Sequence, residues 1–251
     1  MHRKGFTLAE VLITIGVIGV VAAITLPSVI TKYKEKETVV QLKKAYSTLS
    51  QAFQTAQEKE GPIEDWDLVG FFSPQGAENL INILTPYLKI IKNCSNRAEN
   101  CLPDMYYYPD MKNYMNLNTD TRTGKAVLAD GTLLMVRTRS QHCNDNTASP
   151  GITYDPKFEK YCAWLLFDIN GMKKPNALGR DLFAFNVYST GVYPAGLPEE
   201  RFLKFDELCK DISSGGSRGF GCTAWVIYNE NLDYLHCNDL SWDGKKSCNE
   251  K

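Results

Sequence analysis

The chain has 251 residues, a formal net charge of −1, and 43% hydrophobic against 23% charged residues. That length leaves room for one soluble domain behind a terminal segment, or one with an elaborated loop region, and so small a charge gives no electrostatic footprint for a nucleic-acid partner. Eight cysteines without a CxxC pair, beside only three histidines, argue against a structural zinc site and for disulfides made in an oxidising compartment.

The N-terminus, Met1–Pro27, reads MHRKGFTLAEVLITIGVIGVVAAITLP. Arg3 and Lys4 precede Gly5, an apolar run starts at Phe6, and Glu10 is the only charge inside it. A secretory signal core is usually about 7–15 residues long and ends in a small-residue cleavage site. The run from Phe6 to Leu26 is longer, close to the roughly 20 residues that cross a membrane as a helix. Any cut therefore falls before the run and leaves it in the mature chain. The basic start keeps the N-terminus cytoplasmic while the bulk is exported. Gly16, Gly19, Ala22 and Ala23 keep parts of the segment slim for close helix contact. A lone carboxylate such as Glu10 costs roughly 2.5–3.5 kcal/mol at the middle of a membrane helix and less near its edge.

GFTLAEVLITIGVIGVVAAITLP resembles the class III leader and N-terminal helix of type IV pilins and type II secretion pseudopilins. The resemblance implies that Gly5 ends a leader cut by prepilin peptidase and that Phe6 becomes the N-methylated first residue. Glu10 is then the glutamate four positions on, matched to the Phe6 amine of a neighbouring subunit, and Pro27 is the helix-kinking proline. Losing Arg3 and Lys4 takes the net charge to about −3. The implied partners are other pilin or pseudopilin subunits in a homo- or hetero-filament, the inner-membrane assembly platform with its cytoplasmic ATPase, and the lipid bilayer. The implied location is the bacterial inner membrane, crossed once, and then a periplasmic or surface filament.

From Lys32 to Glu60 the chain turns amphipathic. Val39, Leu42, Tyr46, Leu49, Phe53 and Ala56 recur at steps of three and four, which places them on one helix face. Gly61–Pro62 supplies the stop. A helix over 6–60 would run about 80 Å at 1.5 Å per residue, kinked or locally melted at Pro27. The expected divisions are a leader at 1–5, a membrane or filament-core half at 6–30, an amphipathic half at 31–61, and an exported head at 62–251.

In the head, Asn79–Ile91 reads as a short helix with a proline-marked break, and Asn93–Tyr114 as loop. The tyrosine run Tyr106–Tyr108 suits an adhesive patch or burial under neighbouring loops. Lys125–Val136 has apolar runs around Asp130–Gly131, a hairpin signal. Cys162–Ile169 is apolar enough for a central strand, Leu182–Tyr188 is a further strand, and Thr223–Tyr228 with Asp233–Cys237 reads as a late strand pair. Phe202–Ile212 reads as a surface helix, and Ser213–Gly221 as flexible chain. Such strands form an antiparallel sheet that needs an apolar helix face to cover it. The expected fold is α+β and pilin-like: a long N-terminal helix packed on a C-terminal antiparallel sheet with disulfide-rich loops. Cys94, Cys101, Cys143, Cys162, Cys209, Cys222, Cys237 and Cys248 are the candidate bridge partners. Four bridges allow 105 connectivities; Cys94–Cys101 and Cys209–Cys222 look geometrically easiest.

The segment FDINGMKKPNALGRDLFAF (Phe167–Phe185) resembles a recurring piece of C-terminal prepilin-like domains, framed by Asp168, Asn170, Gly171, Pro175, Asn176, Gly179 and Asp181. Oxygens of Asp168, Asn170, Asn176 and Asp181 would suit Ca²⁺, which some pseudopilins bind in a C-terminal loop, although the spacing is not that of an EF-hand. The alternative is a turn pinned by Asx hydrogen bonds. No GxSxG, HExxH, P-loop or GxGxxG pattern occurs. His142–Cys143 and His236–Cys237 are weak nucleophile–base pairs, because adjacent residues diverge in a strand, and Glu199–Glu200 reads as solvated loop. The expected function is structural, without enzymatic activity or another cofactor: a filament subunit, or alternatively a minor or priming pilin, or a helix-anchored extracellular adhesion or ligand-binding module.

Overall fold

A computed structural model describes residues 7–97, 101–144, 155–200, 202–212 and 218–250. Two compact units emerge, Met1–Glu37 and Thr38–Lys251, and helix α1 (Leu8–Glu60) contributes to both. In the first unit the apolar side chains have no cover: Leu8, Ile18 and Ile24 are 78%, 67% and 73% exposed. Among the described residues α1 is the one helix long and apolar enough to cross a membrane, and its most apolar window is wholly unburied. The helix is unbroken at Pro27, so the local melting expected there does not occur. Proline deletes a single amide donor from the ladder, and in an apolar medium the remaining backbone groups must stay bonded within the helix. The hydroxyls of Thr25, Ser28 and Thr31 donate to carbonyls one turn back, at 2.9, 2.8 and 3.0 Å.

The second unit is built on a six-stranded antiparallel sheet. Its strands are β1 (Ile90–Ser95), β4 (Gly124–Leu128), β5 (Leu133–Thr138), β6 (Tyr161–Asp168), β7 (Leu182–Tyr188) and β8 (Gly191–Pro194), in the order β1-β4-β5-β6-β7-β8. Two-residue strands β2 (Tyr106–Tyr107) and β3 (Tyr114–Met115) pair separately. The β4–β5 hairpin turns at Asp130–Gly131, with Gly131 at φ +85°, where glycine has no steric penalty. Strand β6 pairs with β5 and β7 along its length.

Side-chain alternation divides these strands between two cores. Leu134, Val136, Leu165, Phe167, Phe183 and Phe185 face a core shared with α1 and α2 (Pro74–Leu88). The α1 residues in it are Val39, Leu42, Ala45, Leu49, Ala52, Phe53 and Ala56, while Tyr46 packs at its margin and stacks on Phe185. On the opposite face, Leu133, Met135, Leu166, Leu182 and Ala184 pack with Tyr106 and Leu117 from the loops. With both faces covered, all seven positions of β7 are buried, so its sequence shows no clean alternation.

Several local expectations are corrected. Helix α2 starts earlier than Asn79 because Ser73 caps it, accepting from the Gly76 amide at 3.2 Å. It contains Pro86 and ends at Leu88, where Lys89 turns left-handed at φ 50°. Ile90 and Ile91 then belong to β1, as do the first residues of the expected 93–114 loop. Gly76 is irreplaceable for space: a Cβ there would lie 1.9 Å from the Leu68 carbonyl oxygen.

Thr223–Asn229 is helix α4, and Asp233–Leu235 is a 3-10 turn, so the late strand pair does not form. A short run of β-branched and aromatic residues is ambiguous by period. As a helix it bonds its own backbone and buries Thr223–Ile227, with Trp225 stacked 4.2 Å from Phe205. The side chain of Asn231 holds the next turn by accepting from Asp233 N at 3.0 Å. Within 202–212 only Phe205–Leu208 (α3) is α-helical, and of the expected flexible stretch residues 213–217 lie outside the described residues. Of the tyrosine run Tyr106 is fully buried, while Tyr107 and Tyr108 are half-buried.

Candidate functional site

Gly5 and Phe6 lie outside the described residues; the adjoining Thr7 and Glu10 do not. Glu10 stands in the first turn of α1. Its Oε2 accepts from Thr7 N at 2.8 Å and from the Thr7 hydroxyl at 2.9 Å, and Glu10 N donates back to Thr7 Oγ1 at 3.2 Å. This is a reciprocal capping box: each residue satisfies an amide that the helix start leaves orphaned. The positive end of the helix dipole favours the carboxylate at the same place. The reading of Glu10 from sequence missed Thr7, although the T-x-x-E spacing ahead of an apolar run was there to identify it. Pro27 lies in the same exposed helix, away from this turn in sequence.

The acidic loop after β6 gathers its four expected residues into one hydrogen-bond network. Asp168 Oδ1 accepts from the Asn170 and Gly171 amides at 3.1 and 2.9 Å, and Oδ2 accepts from the Tyr106 hydroxyl at 2.9 Å. Asp181 Oδ1 accepts from Ala177 N at 2.6 Å, and Oδ2 from Asn176 N and Asn170 Nδ2 at 2.8 and 3.1 Å. Both carboxyls are buried. Desolvation first, and then the charge of Asp181, pushes the Asp168 carboxyl well above the usual carboxylate range; desolvation also raises Asp181.

A Ca²⁺ ion wants six to eight oxygens that face it. Here every carboxylate oxygen already faces N–H or O–H donors, which leaves Asn170 Oδ1 and Asn176 Oδ1 as the unpartnered side-chain oxygens of the four. Among the described residues no group of three or more His, Cys, Asp or Glu could hold a metal. The donor set fits an Asx-pinned turn and does not fit calcium. The midpoint of thermal unfolding is accordingly expected to be the same in millimolar Ca²⁺ and in chelator, as followed by circular dichroism.

All eight cysteines are bridged: Cys94–Cys101, Cys143–Cys162, Cys209–Cys222 and Cys237–Cys248. The thiols of Cys143 and Cys237 are therefore not nucleophiles for the adjoining histidines, and His142 Nδ1 lies 3.0 Å from the Glu64 carbonyl oxygen. Cys143–Cys162 joins the chain after β5 to the start of β6, and Cys209–Cys222 joins the end of α3 to the start of α4.

Glu199–Glu200 is corrected from solvated loop. Glu199 is exposed, but Glu200 is fully buried and accepts from Gly196 N at 2.9 Å. Burial pushes its carboxyl up to about 8, against the opposing pull of the Gly196 and Leu197 amides and the Tyr188 hydroxyl.

Residues 1–26 match the family described as the prokaryotic N-terminal methylation motif. No curated protein and no solved structure matches the chain. Together with the long apolar helix, the motif fits a type IV pilin-like protein. The α+β head with four disulfides agrees with that likeness.

Proposed function

We propose that the chain is a structural subunit of a type II secretion pseudopilus or a type IV pilus-like filament. Prepilin peptidase cleaves after Gly5 and Phe6 is N-methylated. The subunit waits in the inner membrane, N-terminus cytoplasmic and head exported, until the assembly platform adds it to a filament of pilin or pseudopilin subunits. The observation that carries this reading is the bare apolar stretch of α1 headed by the Thr7–Glu10 capping box. An exposed helix of this kind needs lipid around it or like helices against it. A carboxylate fixed at its N-terminal end can meet a newly made amine in a low-dielectric setting, where opposite charges attract far more strongly than in water.

Mass spectrometry of the mature N-terminus is the direct test. The expected product starts at a methylated Phe6 and keeps the apolar segment, and electron microscopy of sheared filaments should find it in a polymer. A mature chain that begins beyond residue 27 would overturn the proposal.

A further inference from the structure

Two exposed surfaces of the head stand at opposite ends of strand β5. At its start, Leu133 pairs with Asp168, the last residue of β6. The turn that follows Asp168 packs on the β4–β5 hairpin, where a Cβ on Gly171 would lie 2.3 Å from the Gly131 carbonyl oxygen. That turn carries Met172, Lys173 and Lys174, all exposed, Met172 by 51%. At the other end of β5 the Thr138 hydroxyl donates to the Gly70 carbonyl at 3.0 Å, and Phe72 N donates to the Thr138 carbonyl at 3.0 Å. The loop held there buries Trp66 and Leu68 and exposes Asp65, Asp67, Val69 and Phe71, Phe71 by 63%. Val69 is kept at φ 59°, a region that a β-branched residue rarely adopts. The six residues of β5 separate the two surfaces by about 20 Å.

We infer that these surfaces are the two halves of a head-to-tail contact between copies of this chain, an inference that rests on the filament reading and names the partner. The halves match in two ways. Lys173 and Lys174 form no ion pair among the described residues, and neither do Asp65 and Asp67. The neighbouring charges are already matched: Asp130 is held by Lys44 at 2.9 Å, Glu64 by Lys160 at 3.2 Å, and Arg139 has a partner of its own. The last turn of α1 adds Glu58, Lys59 and Glu60, one further net negative charge on the acidic side. Beside the charges, Met172 brings a flexible thioether to the Phe71 ring, whose centre lies 4.7 Å from the Arg139 guanidinium, and sulfur–aromatic contact is favourable. Exposed ion pairs are weak one by one, but this apolar contact keeps water from the pairs around it. Different patches meeting on identical subunits do not close into a dimer; they propagate as an open helical polymer. An anionic lipid surface would suit Met172 and its two lysines alone, and would leave Asp65, Asp67 and Phe71 without an occupant.

Carbodiimide coupling, which joins a lysine to a carboxylate only in direct contact, tests the contact on sheared filaments and on the full chain concentrated in detergent. Peptide mass spectrometry should find Lys173 or Lys174 linked to Asp65 or Asp67, a span of about 20 Å within one chain and therefore a link between two. Lys173→Glu with Lys174→Glu should lower incorporation into filaments at least about tenfold, because like charges then face each other. Adding Asp65→Lys and Asp67→Lys should restore it, which separates a lost contact from a lost fold. A coupling map without that link, normal filaments from the first double variant, or no recovery in the second would each overturn the inference. The detergent arm needs no filament, so wild-type chain that couples as expected but never polymerises counts against the filament reading and not against the contact.

Discussion

Glu10→Ala is expected to leave the protein processed, membrane-inserted and folded, yet to abolish its incorporation into filaments. On the proposed reading the substitution has two effects. It deletes the anion meant for a neighbour's amine, and it breaks the reciprocal capping with Thr7 that holds that anion at the helix start. Losing the cap alone costs on the order of 1 kcal/mol of local helix stability, too little to unfold a head whose core lies among residues 39–240. Charge matching in hydrocarbon is the stronger of the two effects. Fractionation and immunoblotting separate the two levels: Glu10→Ala should stay in the membrane fraction at normal abundance and be missing from sheared filaments. Wild-type amounts in filaments would remove Glu10 from assembly.

The second large effect concerns pH and the buried Glu200. In the unfolded chain its carboxyl titrates near 4.5, and in the folded head near 8. Below about pH 4.5 both states hold the proton and no penalty exists. Between 4.5 and 8 the unfolded chain releases a proton that the folded head keeps, so stability falls as pH rises, by at most about 1.4 kcal/mol per pH unit. Above 8 the penalty is constant. Asp168 and Asp181, also raised, act with the same sign from a lower starting pH. The difference between wild type and Glu200→Gln therefore isolates Glu200. Urea unfolding from pH 5 to 8 should show wild type losing about 2–4 kcal/mol more than the variant over that range, and parallel curves would show that Glu200 does not hold an extra proton when folded.

How much of the fold and site is legible in the sequence depends on whether a feature is local. The buried face of α1 can be read because a 3.6-residue repeat survives whenever one stripe of a helix faces a sheet: Leu42, Leu49 and Phe53 recur at steps the period demands and are all buried. The Asp130–Gly131 turn and the apolar β6 run are equally plain. The run TAWVIYN is not. Its residues favour a strand when taken one by one, and only the stacking of Trp225 on Phe205 beside a disulfide-anchored start shows what a helix gains there. In the acidic loop the composition allows either calcium or a turn. The choice rests on where the amides of Asn170, Gly171, Asn176 and Ala177 point.

By itself, the order of residues determined the apolar N-terminal segment, the expectation of a cut before Phe6, the lone Glu10 and the helix–sheet partition of most of the head, because each rests on local period, length or charge. Only the tertiary structure decided that Glu200 is buried and that the Met172–Lys174 turn and the Asp65–Phe71 loop stand at opposite ends of β5. Burial and placement arise from chain segments far apart in sequence, and no window of neighbouring residues contains them.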